Sequence, residues 1–330
     1  MQSMSSLSEV AEACQVSRST VSRVVNNDPR ISRSTAQKVH SAMQVLHYTP
    51  PSPMKDRRRR TEPMQEKRLH NVALIFPDHR PVALATGLSA RLISGVNDAA
   101  RDIGAMLFIS GLPAPKELPQ VANPQESDGL IIRSPHNLAL SWMAPLLNTR
   151  PLVWINPRPI GTSYGDCVFP DNVSVSTLAV DYLRAKGCRR PLVINSIPEH
   201  KMYEDRVAFF TQIWPESQVI DIDTQEWAGS WMQRIKSKLS SPPLIDGIFF
   251  TDNELGVARV LHALGHTLNI PAVCCGHFNQ IVEALHPHLA TVDVQPEILG
   301  RTAIDMLNWR LEHPAEPVRT LSIAPILIAK

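Results

Sequence analysis

The sequence predicts an α/β protein in which a small, wholly helical head precedes a larger body of doubly wound parallel sheets. Three observations predict it. The first fifty residues hold three short amphipathic helical patterns with only a few residues between them. From Leu69 onward, short apolar runs alternate with helical patterns, the βα rhythm of parallel sheets. Charge divides along the same boundary: residues 1–68 carry 12 Lys and Arg against 6 Asp and Glu, and the remainder carries a net −4. A basic head on an acidic body is the electrostatic footprint of a chain that meets a polyanion at one end.

The head begins with Ser6-Leu7-Ser8-Glu9, which has capping-box spacing with Ser6 as N-cap and Glu9 three residues on. A first helix is predicted from about Leu7 to Cys14, with Leu7, Val10, Ala11 and Cys14 on one face. Gln15-Val16-Ser17 is a turn short enough only for a helix-turn-helix. Ser17 caps a second helix, in which Val21, Val24 and Val25 form a narrow apolar face. Its opposite face carries Arg18, Ser19, Ser22 and Arg23, all donors and none acidic. Such a face suits duplex DNA, while a merely solvated amphipathic helix is the alternative on this stretch alone. Asn26-Asn27-Asp28-Pro29 stops the helix. Ser32 then caps a third helix to about Leu46, with Val39, Ala42, Met43 and Leu46 at helical spacing.

These residues carry a family pattern. The string L-S-E-V-A-E-x-x-x-V-S-x-x-T-V-S-R-V-V-N, followed by I-S-x-x-T-x-x-K-V-x-x-A-M-x-x-L-x-Y-x-P, resembles the lactose-repressor/galactose-repressor (LacI/GalR) family of bacterial transcription regulators. The match runs without a gap from Leu7 to Pro50. The resemblance implies that the second helix enters the major groove of operator DNA. It implies base reading by Arg18 and Ser19, with Arg23 a second reader, and backbone positioning by Thr20, Ser22 and Asn26. Leu7, Ser17 and Arg30 join the expected DNA-contacting set.

The linker departs from the family. Where a hinge helix with a leucine wedge is usual, this chain reads Pro50-Pro51-Ser52-Pro53-Met54-Lys55-Asp56-Arg57-Arg58-Arg59-Arg60. Ser52-Pro53 fits an N-cap and first-turn pair, which would make Met54 the wedge. Pro51 and Pro53 equally fit an extended arm carrying Arg57 and Arg58 into a narrow minor groove. A flexible linker adding only salt-sensitive, sequence-blind affinity is the third reading.

In the body, 72–76, 106–109, 129–132, 152–155, 192–195, 247–250 and 272–275 read as buried strands. Helical patterns cover 89–103, 174–186, 231–239, 255–264 and 296–311. The proline-rich stretch between Ser110 and Asp128 takes the place of a full helix, and Pro215 closely follows the helix that holds Phe210. Ser127–Ile132, Asp171-Asn172 and Leu299–Leu307 resemble the family's effector domain, a two-lobed, periplasmic-binding-protein-like (type I) fold. The resemblance implies a helix-turn-helix head at 1–50, a Pro/Arg-rich hinge or linker at 51–68 and a two-lobed body at 69–330. Its N-lobe is expected at about 69–170 and 293–320 and its C-lobe at about 171–292 and 321–330, with crossings near 170, 292 and 320.

By the same resemblance Arg206, at a helix start, reaches an effector between the lobes. Asn156, Trp227 and Asp252 also fall at pocket positions, and Asp252-Asn253 reverses the family's usual order. The segment that normally brings a carboxylate to sugar hydroxyls reads His277-Phe278-Asn279, and Phe278 accepts no hydrogen bond. A plain hexose is therefore disfavoured. A flatter, more apolar or anionic ligand, or none at all, remains open, and His277 is equally readable as a core residue.

Other classes find little support. His262 and His266 have the i, i+4 spacing of two helical metal ligands, but no third ligand follows and Gly265 points to a helix end. There is no phosphate loop, nucleophile elbow, zinc-protease motif or dinucleotide fingerprint, so no enzyme, cofactor or metal is expected. No apolar run approaches the ~20 residues that span a bilayer, and no basic leader precedes an apolar segment. Five scattered cysteines without a C-x-x-C fit reduced thiols in a cytoplasm. The expectation is a cytoplasmic, homodimeric, sequence-specific DNA-binding regulator, more often a repressor. It would bind a palindromic operator under control of an unknown small effector. An effector-independent regulator and a ligand-binding protein with a vestigial head are the rivals.

Overall fold

The computed structural model describes residues 7–25, 28, 31–46, 48, 68–77, 87–112, 120–133, 149–159, 161–195, 198, 200–222, 228–242, 244–252, 257, 260, 269–276 and 289–329. The chain forms two compact units, Met1–Glu66 and Lys67–Lys330.

The first unit packs α1 (Leu7–Ala13), α2 (Arg18–Val25) and α3 (Arg33–Val45). Their shared core is Val10, Ala11, Val21, Val24, Val39 and Met43, the apolar spacings seen in the sequence. Gln15 takes the left-handed backbone at φ 53°, which reverses the chain between α1 and α2 in so few residues. Ser17 accepts from the Thr20 N–H at 3.1 Å, and Ser32 accepts from that of Thr35 at 3.2 Å. Each caps its helix as its position predicts. Ser6, the cap of the Ser6–Glu9 box, lies outside the described residues, while Glu9 stands in the first turn of α1.

The second unit contains two six-stranded sheets. The first has the order β11-β5-β4-β3-β1-β2 and is parallel throughout. Its strands are β1 (Asn71–Pro77), β2 (Met106–Leu112), β3 (Gly129–Arg133), β4 (Leu152–Ile155), β5 (Asp166–Pro170) and β11 (Thr320–Ile323). One face, with Val72, Leu74, Phe76, Ile131 and Val153, packs under α4 (Gly87–Asp102) and α8 (Pro296–Glu312). The other carries Ala73, Ile75, Leu130, Ile132 and Trp154. Strands buried on both faces read as continuous apolar runs, which is why β1, β3 and β4 are legible in sequence.

The second sheet has the order β12-β10-β9-β8-β6-β7. Its strands are β6 (Pro191–Asn195), β7 (Gln218–Asp221), β8 (Gly247–Phe250), β9 (Ala272–Gly276), β10 (Ala290–Asp293) and β12 (Ile326–Ile328), the last antiparallel to β10. Helices α5 (Asn172–Ala185), α6 (Lys201–Ile213) and α7 (Ala228–Ser240) flank it.

The chain passes between sheets three times: after Pro170, between Asp293 and Pro296, and between Ile323 and Ile326. The last of these corrects the expectation of a crossing near 320. Residues 321–323 belong to the first sheet, because β11 runs parallel to β5 with Leu321 opposite Val168 before the chain leaves. Between β2 and β3 the described residues hold a single 3-10 turn, Gln120–Ala122, where the prolines argued against a full helix. The helical pattern at 255–264 and the His262–His266 pair fall mainly or wholly outside the described residues.

Candidate functional site

In the head, the buried side of α2 fixes what its other side offers. With Val21 and Val24 buried, Arg18, Ser19 and Arg23 are exposed, and Ser22 and Thr20 are half-buried beside them. Ser17 Oγ lies 2.7 Å from Ser19 Oγ and 2.9 Å from Thr20 Oγ1, so three hydroxyls cluster where α2 begins. No acidic residue stands in the first turn of α2. Hydroxyls and two guanidinium groups thus share one exposed face without acidic residues, a set of donors of the kind that phosphate oxygens and base edges can accept from. Leu7 is half-buried, with its side chain packed against the head's core. Asn26, Arg30, Met54, Arg57 and Arg58 lie outside the described residues.

In the body, Arg206 is the sixth residue of α6 rather than its start, and it is only 5% exposed. Its Nε donates to Asn172 Oδ1 at 3.1 Å and its Nη1 to the Thr251 carbonyl at 2.6 Å. Its guanidinium carbon sits 5.1 Å from the centre of the Tyr203 ring. Asp252, one residue beyond Thr251, is buried. Burial, reinforced by Asp252, pushes the Tyr203 phenol up to about 12, against the pull of Arg206 and Arg133. Tyr203 therefore stays protonated and can donate.

Asn156 follows β4 with φ 74°, a left-handed conformation that Asn tolerates better than most residues. Its N–H donates to the Val168 carbonyl at 3.0 Å, and its carbonyl accepts from Cys167 Sγ at 3.2 Å. Its backbone is thus held by β5, with the side chain half-buried. Trp227 and Phe278 lie outside the described residues, as do Asn253 and His277.

The structure adds residues that sequence reading missed. Arg133, the last residue of β3, donates from Nη1 to the buried Ser89 hydroxyl at 3.2 Å. Asn172, at the start of α5, orients Arg206. The available signal was position: a polar residue directly after a buried strand lies at the sheet's carboxyl edge, where open α/β folds bind ligands. No three His, Cys, Asp or Glu residues cluster as metal ligands among the described residues.

A helix-turn-helix head joined to two such lobes defines a DNA-binding regulator with a ligand-binding body. Residues 6–51 match the model of bacterial regulatory proteins of the lacI family, and residues 180–330 match the periplasmic binding protein-like domain. The chain carries a lacI-family DNA-binding domain and a periplasmic-binding-protein-like domain, and is a DNA-binding transcription regulator. The ribose operon repressor of Escherichia coli is 23% identical over 341 residues, covering 99% of each chain. The structure of the transcriptional regulator CelR in complex with cellobiose superposes with a TM-score of 0.64 at 21% identity over 98% of each chain. The lac repressor dimer bound to operator and the anti-inducer ONPF gives 0.59 at 19% identity, over 99% of this chain and 98% of that one. These structural likenesses concern the fold. No helix among the described residues is long and apolar enough to cross a membrane.

Proposed function

We propose that this protein represses transcription by binding a palindromic operator as a homodimer, releasing or tightening its grip when a small effector enters the cleft between its lobes. The observation that carries the reading is the exposed, acid-free face of α2, with Arg18, Ser19 and Arg23 held outward by the burial of Val21 and Val24. Arg18 is assigned to a base edge, Arg23 to a second one, and the Ser17, Ser19, Thr20 and Ser22 hydroxyls to the sugar-phosphate backbone. One head of three short helices covers few base pairs, so two copies reading half-sites about one helical turn apart supply the specificity. The comparison proteins support this: one is named an operon repressor, and another is a repressor dimer bound to its operator.

The effector role belongs to Arg206, Asn156 and Asp252, joined by Trp227 and Phe278 from the sequence. A ligand touching both lobes stabilises their closure and alters the spacing of the paired heads, which changes operator affinity. A structural neighbour in complex with cellobiose supports a small ligand for this fold. Binding and regulation account for the chain without catalysis, and its working compartment is the cytoplasm, where operator DNA lies. The test is footprinting on the DNA upstream of the protein's own gene. A protected palindrome that resists moderate salt is expected, and its absence overturns the reading.

A further inference from the structure

We propose that the ion pair between Arg91 and Asp293 is a latch that sets the angle between the two lobes, and through it the affinity for operator DNA. Its effect on DNA rests on the proposed function, whereas the latch itself rests on contacts within the body. The three passages between the sheets are laced together at their own backbone. The Asp171 N–H donates to the Ile323 carbonyl at 2.9 Å, joining the first passage to the third. Gln295 Nε2 donates to the Ala324 carbonyl at 2.6 Å, joining the second to the third. Bonds at a hinge hold its axis and leave rotation about it open, so the angle is set by a contact away from these strands.

Arg91 makes that contact. It lies on α4, one turn before Gly95, whose backbone sits against that of Glu297, so α4 and α8 are one rigid piece of the first lobe. From this piece Arg91 donates twice: from Nε to the Glu297 carboxylate, within its own lobe, and from Nη1 to Asp293 Oδ2 at 3.2 Å. Asp293 is the last residue of β10, in the second lobe's sheet, and its side chain is 4% exposed. Its other oxygen, Oδ1, accepts from the Gln295 N–H at 2.7 Å. Gln295 has the left-handed backbone, φ 54°, which a residue other than glycine keeps only where its surroundings fix it. One carboxylate thus grips both the second passage and the first lobe's helix pair. Three residues before Arg91, Leu88 packs against the second lobe's core, which extends to Val294 in the same passage. The start of α4 therefore meets the second lobe twice. The Arg91 side chain is 33% exposed and that of Glu297 36%, so the guanidinium reaches water and keeps a carboxylate of its own lobe when Asp293 moves away. Asp293 in turn keeps the Gln295 N–H. Neither charge is then stranded, which is what a reversible latch requires.

The test is double electron–electron resonance between nitroxides on Glu216→Cys in the second lobe and Asp305→Cys in the first, both exposed positions, with Cys14→Ser because the other cysteines are buried. Labelled full chain is diluted with unlabelled chain, so that only distances within one chain are read. The unaltered latch should give one distance population. Arg91→Met and Asp293→Asn, the latter keeping an acceptor for Gln295, should each add a second, and Arg91→Lys should keep mostly the first. Glu297→Gln removes only the pair within one lobe and should leave the distance as it was, which separates a latch from a general loss of packing. On the footprinted palindrome the two latch-breaking variants should change affinity about 5- to 150-fold, the usual span of coupling between sites. A single unchanged population in both Arg91→Met and Asp293→Asn overturns the latch, as does a second population in Glu297→Gln. A second population with unchanged operator affinity overturns its link to DNA. Absence of any operator for the unaltered protein overturns the proposed function, and the distances then still decide the latch.

Discussion

Arg206 and Thr251 are joined by a hydrogen bond from Nη1 to the main-chain carbonyl at 2.6 Å, which ties α6 to the end of β8. The same side chain holds Asn172 at the start of α5, so one guanidinium within α6 fixes two element ends, the start of α5 and the end of β8. Arg206→Met leaves a buried carbonyl and a buried amide oxygen without their donor. It should cost about 1–3 kcal/mol in urea denaturation and abolish any ligand-induced rise in Tm. A ligand response that survives the substitution removes Arg206 from the cleft's function.

Arg18→Ala should relax base preference at a single operator position by about 1–3 kcal/mol, the worth of one bidentate base contact. Replacing Arg57 through Arg60 with alanine should instead weaken binding to every sequence and flatten its salt dependence, by a slope of about 0.9 for each phosphate no longer neutralised. Fluorescence anisotropy on single-base operator variants at several salt concentrations separates the two. A changed base preference in the four-arginine variant assigns the linker a reading role.

Helices α4 and α8 touch through glycines. A Cβ on Gly95 would lie 2.1 Å from the Glu297 carbonyl oxygen, and one on Gly300 would lie 2.5 Å from that of Leu92. Backbone cannot yield as a side-chain tip can, so Gly95→Ala and Gly300→Ala force the helices apart. Each should destabilise the body by roughly 1–3 kcal/mol. Differential scanning calorimetry should show a lower Tm for both; unchanged transitions contradict the close approach.

Asp166 is fully buried at the start of β5 and takes two bonds from Arg310, Nη2 to Oδ1 at 2.6 Å and Nε to Oδ2 at 2.9 Å. It also accepts from the Arg319 N–H at 2.6 Å, just before β11. Asp166→Ala strands a largely buried guanidinium and should cost about 3–5 kcal/mol. A loss below about 1 kcal/mol in urea denaturation would show that solvent reaches the pair far more than its burial implies.

Burial pushes the thiols of Cys167, Cys188 and Cys275 up to about 11 and that of Cys274 to about 12. Only the half-buried Cys14 should therefore react quickly with a thiol reagent in the native protein, with all five reacting after unfolding. The folded state keeps protons that the unfolded chain releases near pH 9, so the unfolded chain binds fewer protons above that pH. Stability should accordingly fall as pH rises from about 9 to 11. Urea midpoints at pH 8 and pH 10 measure this, and equal midpoints would contradict it.

Much of the fold was legible because its signals are local. Capping serines at 17 and 32 and valines at helical spacing announce the head, and double-sided burial announces β1, β3, β4, β6, β8 and β9. The strands without a clear sequence signal have mixed or short patterns. β5 is Asp-Cys-Val-Phe-Pro, while β7, β11 and β12 lie at sheet edges and alternate or expose their apolar residues. The start of helix α6 is hard to place partly because His200 caps it, where Ser, Thr, Asp or Asn is the usual signal. In the site, Arg206 was marked by family position. Arg133 and Ser89 were not, because the end of β3 and the start of α4 meet only through the tertiary packing of the first lobe; Tyr203, three residues before Arg206 on α6, was not singled out either.

The central claim is that the α2 face reads DNA sequence. Its most direct measurement is competition footprinting of the full-length protein on its own upstream region, beside the Arg18→Ala variant. The account predicts a protected palindrome that persists under excess nonspecific DNA and loses one position's preference in the variant. Protection that vanishes with nonspecific competitor, or that is identical in the variant at every position, would contradict it.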